Sequence, residues 1–587
     1  MGAALSFFLE WAERLAAARP AGYTPPLGLR VPLGTRWSSL LSPLVCLGWS
    51  SPLEETALWL PLVDSAEDPT AAVIDALARE FTVRQAPAPT TARRYYDTFD
   101  GRLHRRRSTL AVVTEESAPP RLVWRRRDNA GGVQESGVDA PDSLGFAGEL
   151  PAGSLRDGVA ACIEMRRLLP FLEVESGGLL LEISDALAKT TVRLRVERQS
   201  ARLPGGEAVP MPAMIHVHPL RGFEAESRAV VEALRTMPSI ADSAPDRIDL
   251  AIDALGLDTP RDRAKVAIDL PEDAAADEAV AIILLSFLQV IQLHEAGVRD
   301  EIDSEFLHDY RVAIRKTRAW IGQLKRVFPA EAIGKFKEEF AWLGRGTGAA
   351  RDADVFLLRL DDYVAEIPDG DFALLRKHLE ESQRAAYDEI RGMMATPRYR
   401  DLISGWDAFL RSYLRETPAP KERVEIGTTL ARDVFAKRIW KIYRRITRAR
   451  SARDPRAPAQ ALHDVRLDGK KLRYLLDGSK SLFDAAAVQT GVRELKRLQD
   501  VLGDFNDFEV QQERLTAIAD ELLAEGDLTK GAGPVLTLGR LCERLRQRSL
   551  EERARFRSRF DRFAADKNQE RYRDLFGPRA DSGTTGP

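Results

Sequence analysis

The residues with the most chemistry to offer are cations held at regular spacing. Along "LHDYRVAIRKTRAW" (307–320), His308, Arg311, Arg315 and Arg318 stand at i, i+3, i+7 and i+10, with Lys316 beside them. At about 100° of rotation per residue, that spacing gathers the four within roughly 80° of one helix face. "LHDVRLDGKKLRYL" (462–475) repeats the arrangement with His463, Arg466, Lys470, Lys471 and Arg473, each 155 residues after its counterpart (463 − 308 = 155). Between the copies, "ARDVFAKRIWKIYRRITRAR" (431–450) sets Lys437, Lys441, Arg444 and Arg448 on one face and Phe435, Ile439, Ile442 and Ile446 on the other.

A charge run on a helix is ordinarily a solvated face laced with i,i+4 ion pairs. Residues 311–318 contain no acidic partner, so these cations repel one another unless an external anion offsets them. Many Lys and Arg contacts to phosphate add along a linear polymer, and inorganic polyphosphate is the expected partner. Readers of single-stranded nucleic acid supply stacking aromatics on the binding face. Tyr310 and Trp320 lie off the stripe, so no sequence-specific nucleic-acid binding is expected. Neither His308 nor His463 has a His, Cys or carboxylate at i+3 or i+4, so no metal site and no cofactor is read from them.

The elements that position these residues are legible from the same offset. Leu307, Asp309, Lys325, Phe328, Glu339, Leu343, Gly348, Asp352 and Val355 also find identical residues 155 positions on. An ungapped match over roughly fifty residues means two structurally equivalent helical units. The spacing is too long for a solenoid and fits two pseudo-symmetric bundles of about four helices each. Helical periodicity begins at "DEAVAIILLSFLQVIQLHEAG" (277–297) and persists to about residue 577. Before residue 260, short β-rich runs such as "LVWRRR" (122–127), "LLLEI" (179–183) and "TTVRLRVER" (190–198) alternate with Gly- and Pro-containing segments.

These features divide the chain into an unassigned segment (1–52), a β-rich domain (53–258), a linker (259–276), an all-helical domain (277–577) and a disordered tail (578–587). The two repeats of the helical domain span about 277–420 and 428–577. A length of 587 residues suits two to four domains. The 86 Lys plus Arg against 89 Asp plus Glu exclude a global attraction to nucleic acid or membrane, so a basic site must be local. Cys46, Cys162 and Cys542 form no CxxC, which argues against a disulfide framework or zinc site and for a cytoplasmic location. The opening "MGAALSFFLEWAERLAAARP" carries Glu10 and Glu13 and reads as an amphipathic helix, not a secretory signal. No run of 18 apolar residues occurs, so no membrane span is expected.

The pattern HDxRVAxRKxR followed by "RDADV" (351–355), with its echo HDxRxxxKKLRY followed by "LGDFNDFEV" (502–510), resembles the CHAD domain, the conserved histidine α-helical domain. The resemblance implies two four-helix bundles whose basic cavity binds inorganic polyphosphate without catalysis, a property that suits targeting to polyphosphate granules. The binding residues it implies are His308, Arg311, Arg315, Lys316 and Arg318 and their equivalents in the second repeat, with Lys437, Lys441 and Arg444 added from the intervening helix. Asp352, Asp354, Asp507 and Glu509 are expected either to orient those cations or to serve as helix caps and dipole partners.

The first half is similar to the CYTH family, whose eight-stranded tunnel hydrolyses triphosphate with a divalent metal. The similarity rests on "RRYYDTFDGRLHRRRSTL" (93–110) and more loosely on "TTVRLRVER". The chain departs from that family at three places. It has no ExExK spacing in "EETALWLPL" (54–62), "LAVV" (110–113) where an LRxR word belongs, and "IHVHPL" (215–220) where a late ExE strand belongs. The expected fold is therefore multidomain α+β, a degenerate CYTH-like tunnel or barrel followed by an all-α CHAD domain, with no catalytic residue. The alternative is a metal-dependent inorganic triphosphatase of CYTH type. Arg102, Arg105, Arg106 and Arg107, with Arg125, Arg126 and Arg127, are either a charged strand edge or a remaining phosphate site.

Overall fold

The protein is described by a computed structural model covering residues 56–60, 69–116, 118–128, 133–185, 187–237, 240, 246–257, 268–415, 423–454, 456–524 and 532–578. The expectations for residues 1–52, Cys46, most of the 259–276 join and the tail beyond 578 lie outside the described residues. The chain divides into two compact units, residues 1–265 and 266–587.

In the first unit, apolar and polar residues alternate along eight strands, as a sheet with two different faces requires. They are β1 (Thr56–Leu60), β2 (Thr82–Asp97), β3 (Ser108–Glu115), β4 (Ala118–Arg127), β5 (Val133–Asp139), β6 (Leu169–Ser184), β7 (Thr190–Arg202) and β8 (Val209–Pro219). All described pairings are antiparallel, in the order β1-β8-β7-β6-β2-β3-β4-β5. Among the described residues five α-helices accompany them: α1 (Pro69–Ala78), α2 (Arg102–Arg105), α3 (Ser154–Ile163), α4 (Glu224–Arg235) and α5 (Arg247–Ala254). Val192, Leu194 and Val196 of β7 pack against Val73 and Leu77 of α1 and Val230 and Leu234 of α4. The two-residue period then turns Arg195 and Glu197 to the opposite face. Trp124 of β4 centres a second core with Val159 and Ile163 of α3.

The second unit is helical: α6 (Ala276–Arg299), α7 (Ser304–Gln323), α8 (Ala330–Gly346), α9 (Gly348–Glu366), α10 (Ala373–Ala395), α11 (Pro397–Arg411), α12 (Ala431–Arg448), α13 (Ala459–Ser479), α14 (Ala485–Ala524), α15 (Gly533–Phe563) and α16 (Asp566–Phe576). Asp303 caps α7, its side chain accepting from the Glu305 and Phe306 amides. The duplication is visible in the packing. In the first bundle α6 packs on α7 and α11, α7 on α8, and α9 on α10; in the second α12 packs on α13 and α16, α13 on α14, and α14 on α15. Helix α6 is long and apolar enough by composition to cross a membrane, but most of that stretch is buried within the unit.

The repeats differ at one point that matters below. Thr347, fully buried, separates α8 from α9 and donates its hydroxyl to Leu343 O (3.1 Å). The equivalent position is Leu502, also buried, and α14 runs through it without a break.

The bundles meet along two seams. In one, Trp320 Nε1 of α7 donates to Tyr474 O of α13 (3.2 Å), and its ring stands edge-on to Phe435 of α12. Gly478 makes room for it, since a Cβ there would lie 2.5 Å from Trp320 Cζ2. In the other, Phe356, Leu360 and Tyr363 of α9 and Leu375 and Leu379 of α10 share one core with Leu515 and Ile518 of α14 and Leu538, Leu541 and Leu545 of α15. Tyr363 Oη crosses this seam to Gln511 Oε1 (2.8 Å). Gly478→Ala should overpack the first seam and destabilise the helical unit by ~1–3 kcal/mol, read as a lower thermal unfolding midpoint. An unchanged midpoint would show that Trp320 is not held against this position.

Candidate functional site

The duplicated helices α7 and α13 pack on one another beside Trp320, and this brings their cationic stripes together. Burial lowers the pKa of Arg466, and Arg315 from the other repeat pushes the same way. Burial, then Arg466, then Arg315 take Lys470 down to about 8. Burial also lowers Lys316; Asp477 and Asp309 oppose the shift, while Arg473 of α13 adds to it. These couplings run between the two copies. Lys316 Nζ also stands 5.6 Å from the ring centre of Phe287 on α6.

Each copy manages its charge differently, and the break at Thr347 is the reason. Ending α8 there leaves the Gly344 carbonyl available, and Arg311 Nη1 donates to Gly344 O (3.0 Å) and to Thr347 Oγ1 (2.7 Å). Both acceptors are neutral, so the Arg311 charge is held in place without being cancelled. Burial lowers its pKa, Arg315 adds to that, and Asp352 opposes it. Arg318 lies along the same glycine, where a Cβ at Gly344 would come 3.1 Å from Nη1. Among the described residues neither Arg315 nor Arg318 has an ion pair. The continuous α14 offers no such carbonyl, and Arg466 Nη2 instead approaches Asp507 Oδ1 (3.5 Å). Arg473 pairs with Asp477 (3.3 Å), and Lys471 Nζ with Asp468 Oδ1 (3.1 Å). The absence of acidic partners read from 311–318 therefore describes the first copy and not the second.

Several expected site residues stand elsewhere. Lys471 is one residue on from Lys470, about 100° round α13, and shares Asp468 with Arg445 of α12. Lys437, Lys441 and Arg444 are exposed, opposite the buried Phe435, Ile439 and Ile442. The side of α12 that meets α7 and α13 is roughly 80° round from them and carries Arg438, which donates to Gln323 Oε1, and Arg445. The spacing in 431–450 marked the solvent face of α12, because a charge stripe opposite a core is outward by geometry. His463 Nδ1 donates to Asn506 Oδ1 (3.2 Å). His308 is half-buried in the first turns of α7.

The four carboxylates also separate. Asp507 lies by Arg466, and Asp352 opens onto solvent beside Arg311, its pKa raised by the surrounding protein and drawn back by Arg311, Arg514 and Arg351. Asp354 turns away into its own bundle, accepting from Gln383 Nε2 (2.7 Å) and Tyr387 Oη (3.0 Å). Glu509 accepts from Ser549 Oγ (2.6 Å) of α15. These two hold helices together and do not orient the stripe. The neighbours of Asp352 and Asp504 expose cations that the motif reading passed over, Arg359 and Arg514. They too are separated by 155 residues (514 − 359 = 155), so extending the offset by a further turn would have found them.

In the first unit most of the conspicuous basic residues are paired within the unit, while Arg107 and Arg126 have no ion pair among the described residues. Asp97, in the YYDT word, accepts from the amides of Thr98 (2.7 Å), Leu103 (2.9 Å) and His104 (2.9 Å), and burial raises it to about 6. Arg102 and Arg105 pair with Asp100, Arg106 with Glu164, Arg125 with Glu135 and Arg127 with Asp246. On the polar face of β7, Glu197, 2% exposed, receives Arg195 (2.9 Å), Arg247 of α5 (2.5 Å) and His216 of β8 (3.6 Å). Burial alone would raise Glu197, but the neighbouring His216 and the Arg247 charge take it down to about 2. Burial and the neighbouring Arg247 take Arg93 of β2 down to about 10. His216 and His218 share a face with ring centres 6.4 Å apart. A divalent metal of the kind a CYTH tunnel uses needs several free oxygen ligands. Among the described residues no cluster of three His, Cys, Asp or Glu has that geometry, and Glu197 is already surrounded by cations, so these residues do not fit such an ion.

Because Arg466 is the first charge to act on Lys470 after burial, removing it should restore the lysine. Arg466→Gln is expected to move the Lys470 midpoint upward from about 8, followed by nuclear magnetic resonance titration of labelled lysine side chains. A midpoint that stayed put would mean the two side chains are not neighbours.

Comparison with known proteins follows the division into two units. The family model of the CHAD domain matches residues 282–516. The CHAD domain from the plant Ricinus communis is similar to this chain at 23% identity, over 50% of this chain and 94% of its own, with a TM-score of 0.39. PptA from Streptomyces chartreusis is similar at 15% identity, over 49% of this chain and 99% of its own, with a TM-score of 0.37. A protein from Hippeastrum described as having a dominant triphosphatase activity is similar at 15% identity, over 35% of this chain and 97% of its own, with a TM-score of 0.23. No curated protein matches the chain. Residues 282–516, which carry α7, α13 and both stripes, are a CHAD domain.

Proposed function

We propose that the helical unit binds inorganic polyphosphate without catalysis, in the groove where the α7 and α13 stripes converge. One observation carries the reading: Arg315 of the first repeat acts on both Arg466 and Lys470 of the second, and Arg315 and Lys470 have no ion pair among the described residues. Like charges that act on one another across a seam favour a ligand that supplies several negative charges at once. Arg311, fixed on a carbonyl and a hydroxyl, keeps its full charge for such a ligand. The binding set is Arg311, Arg315, Lys316, Arg318, Arg466, Lys470 and Arg473, with His308 and His463 at the outer end. Lys437, Lys441, Arg444 and Lys471 are at most peripheral to it. Such a module suits placement of the protein on polyphosphate granules, and the first unit is read as non-catalytic.

The direct measurement is a titration of the full chain with polyphosphates of graded length, with single-stranded nucleic acid as competitor. Affinity should fall steeply with added salt as displaced counterions are lost as a driving force, by analogy with other polyanions. Changing Arg311, Arg315, Lys470 and Arg473 together to Glu should abolish retention; retention at unchanged strength would remove these residues from the site. Mg²⁺- or Mn²⁺-dependent release of phosphate from triphosphate would instead restore the triphosphatase reading for the first unit.

The reading also fixes the direction of a pH dependence. Lys470 in the free protein loses its proton near pH 8, and the polymer favours the charged form, so binding takes up protons. Affinity should therefore fall between pH 7 and 9, and Lys470→Met should bind more weakly with a flatter profile. Calorimetry in buffers of different ionisation heat would register the uptake, and its absence in the unchanged protein would contradict the assignment.

A further inference from the structure

We propose that Arg359 and Arg514 form a second wall of this groove and extend the polymer's footprint from α7 and α13 onto α9 and α14, making affinity grow with chain length beyond what the two stripes hold. The inference rests on the polyphosphate reading above and adds residues, and a length dependence, that the stripes do not contain.

Arg359 and Arg514 stand 155 residues apart within the otherwise different words "FLLRL" and "QQERL". They therefore occupy equivalent places on equivalent helices, as the stripe residues do. Carboxylates also link them to the stripes, crosswise between repeats. Asp352 on α9 is acted on by Arg311 of its own repeat and by Arg514 of the other. Asp504 on α14 neighbours Asp507 and is acted on by Arg359 of the first repeat, while Asp507 faces Arg466 and Lys470. Arg514 is thus one carboxylate away from a stripe, and Arg359 two, through Asp504 and then Asp507.

Leu360 and Leu515, the next residues in each word, are fully buried in the second seam between the bundles. A rotation of about 100° sets the preceding arginine at the rim of that seam, and both Arg359 and Arg514 are half-exposed. Arg514 reaches a carboxylate only at 4.0 Å, Glu521, and Arg359 has no ion pair among the described residues. A polymer leaving the α7–α13 stripes meets a second pair of incompletely neutralised arginines.

The experiment titrates the full chain with triphosphate and with polyphosphates of increasing length, comparing Arg359→Gln/Arg514→Gln, Arg359→Lys/Arg514→Lys, and a stripe control, Arg315→Gln/Lys470→Gln. The Gln pair should match the unchanged protein on triphosphate and lose about tenfold or more on long chains. Its slope of log affinity against log salt should be smaller by roughly 1–2, near one per lost phosphate contact. The Lys pair should retain most of both, which separates charge from packing. If the Gln pair keeps the length dependence and the slope while the stripe control loses affinity, the second wall is wrong and the groove stands. If the Gln pair weakens triphosphate as much as long chains, the residues belong to the primary contact and the extension is wrong. If the stripe control is also unaffected, the polyphosphate reading falls and this inference with it.

Discussion

Cations repel, and a fold that brings Arg315 within electrostatic reach of Arg466 and Lys470 must hold the helices that carry them by other means. The means are apolar and lie on either side of the charges. Trp320 is inserted against Gly478 and Phe435 at one seam, and twelve buried residues from α9, α10, α14, α15 and the turn between α9 and α10 form the other. At about 1.5–3 kcal/mol for each fully buried apolar side chain, the second seam alone outweighs a like-charge repulsion of a few kcal/mol at an effective dielectric of about 20. The repulsion is therefore stored in the folded state and is available to be relieved by a ligand.

The two repeats show how a duplicated scaffold diverges at one short segment, GRGTG (344–348) against QDVLG (499–503). Thr347 breaks one helix, frees a carbonyl and lets Arg311 remain a full charge on neutral acceptors. Leu502 at the equivalent position keeps α14 continuous, and Arg466 turns to Asp507. The first copy is the more strongly cationic half of the groove and the second is partly compensated. The asymmetry arises from backbone hydrogen bonding, because a helix interior has no spare carbonyl to offer a guanidinium.

The first unit illustrates the opposite resolution of the same problem. Its arginine-rich words are met by Asp100, Glu164, Glu135 and Asp246, and Glu197 gathers Arg195, Arg247 and His216 on the polar face of the sheet. Asp97 spends its carboxylate on three backbone amides. Many charges that read as a surface in one dimension find partners once strands and helices distant in sequence supply them.

Periodicity and the 155-residue offset determined, from the residues alone, that a β-rich part precedes an all-helical part, that the helices come as two equivalent sets, and that His308, Arg311, Arg315 and Arg318 share a face with their counterparts aligned. These are local properties: side-chain direction repeats with helix rotation, and a duplication preserves it. What tertiary structure alone decided is which faces meet. It turned Lys437, Lys441 and Arg444 to solvent while Arg438 and Arg445 meet α7 and α13, and it took Asp354 and Glu509 away into helix contacts. It also brought Arg359 and Arg514 to carboxylates neighbouring the stripes. The physical reason is that rotation about one helix axis follows from sequence spacing, whereas the neighbour waiting at each angle depends on how two bundles dock, and that docking was set by Trp320, Gly478 and the apolar seam.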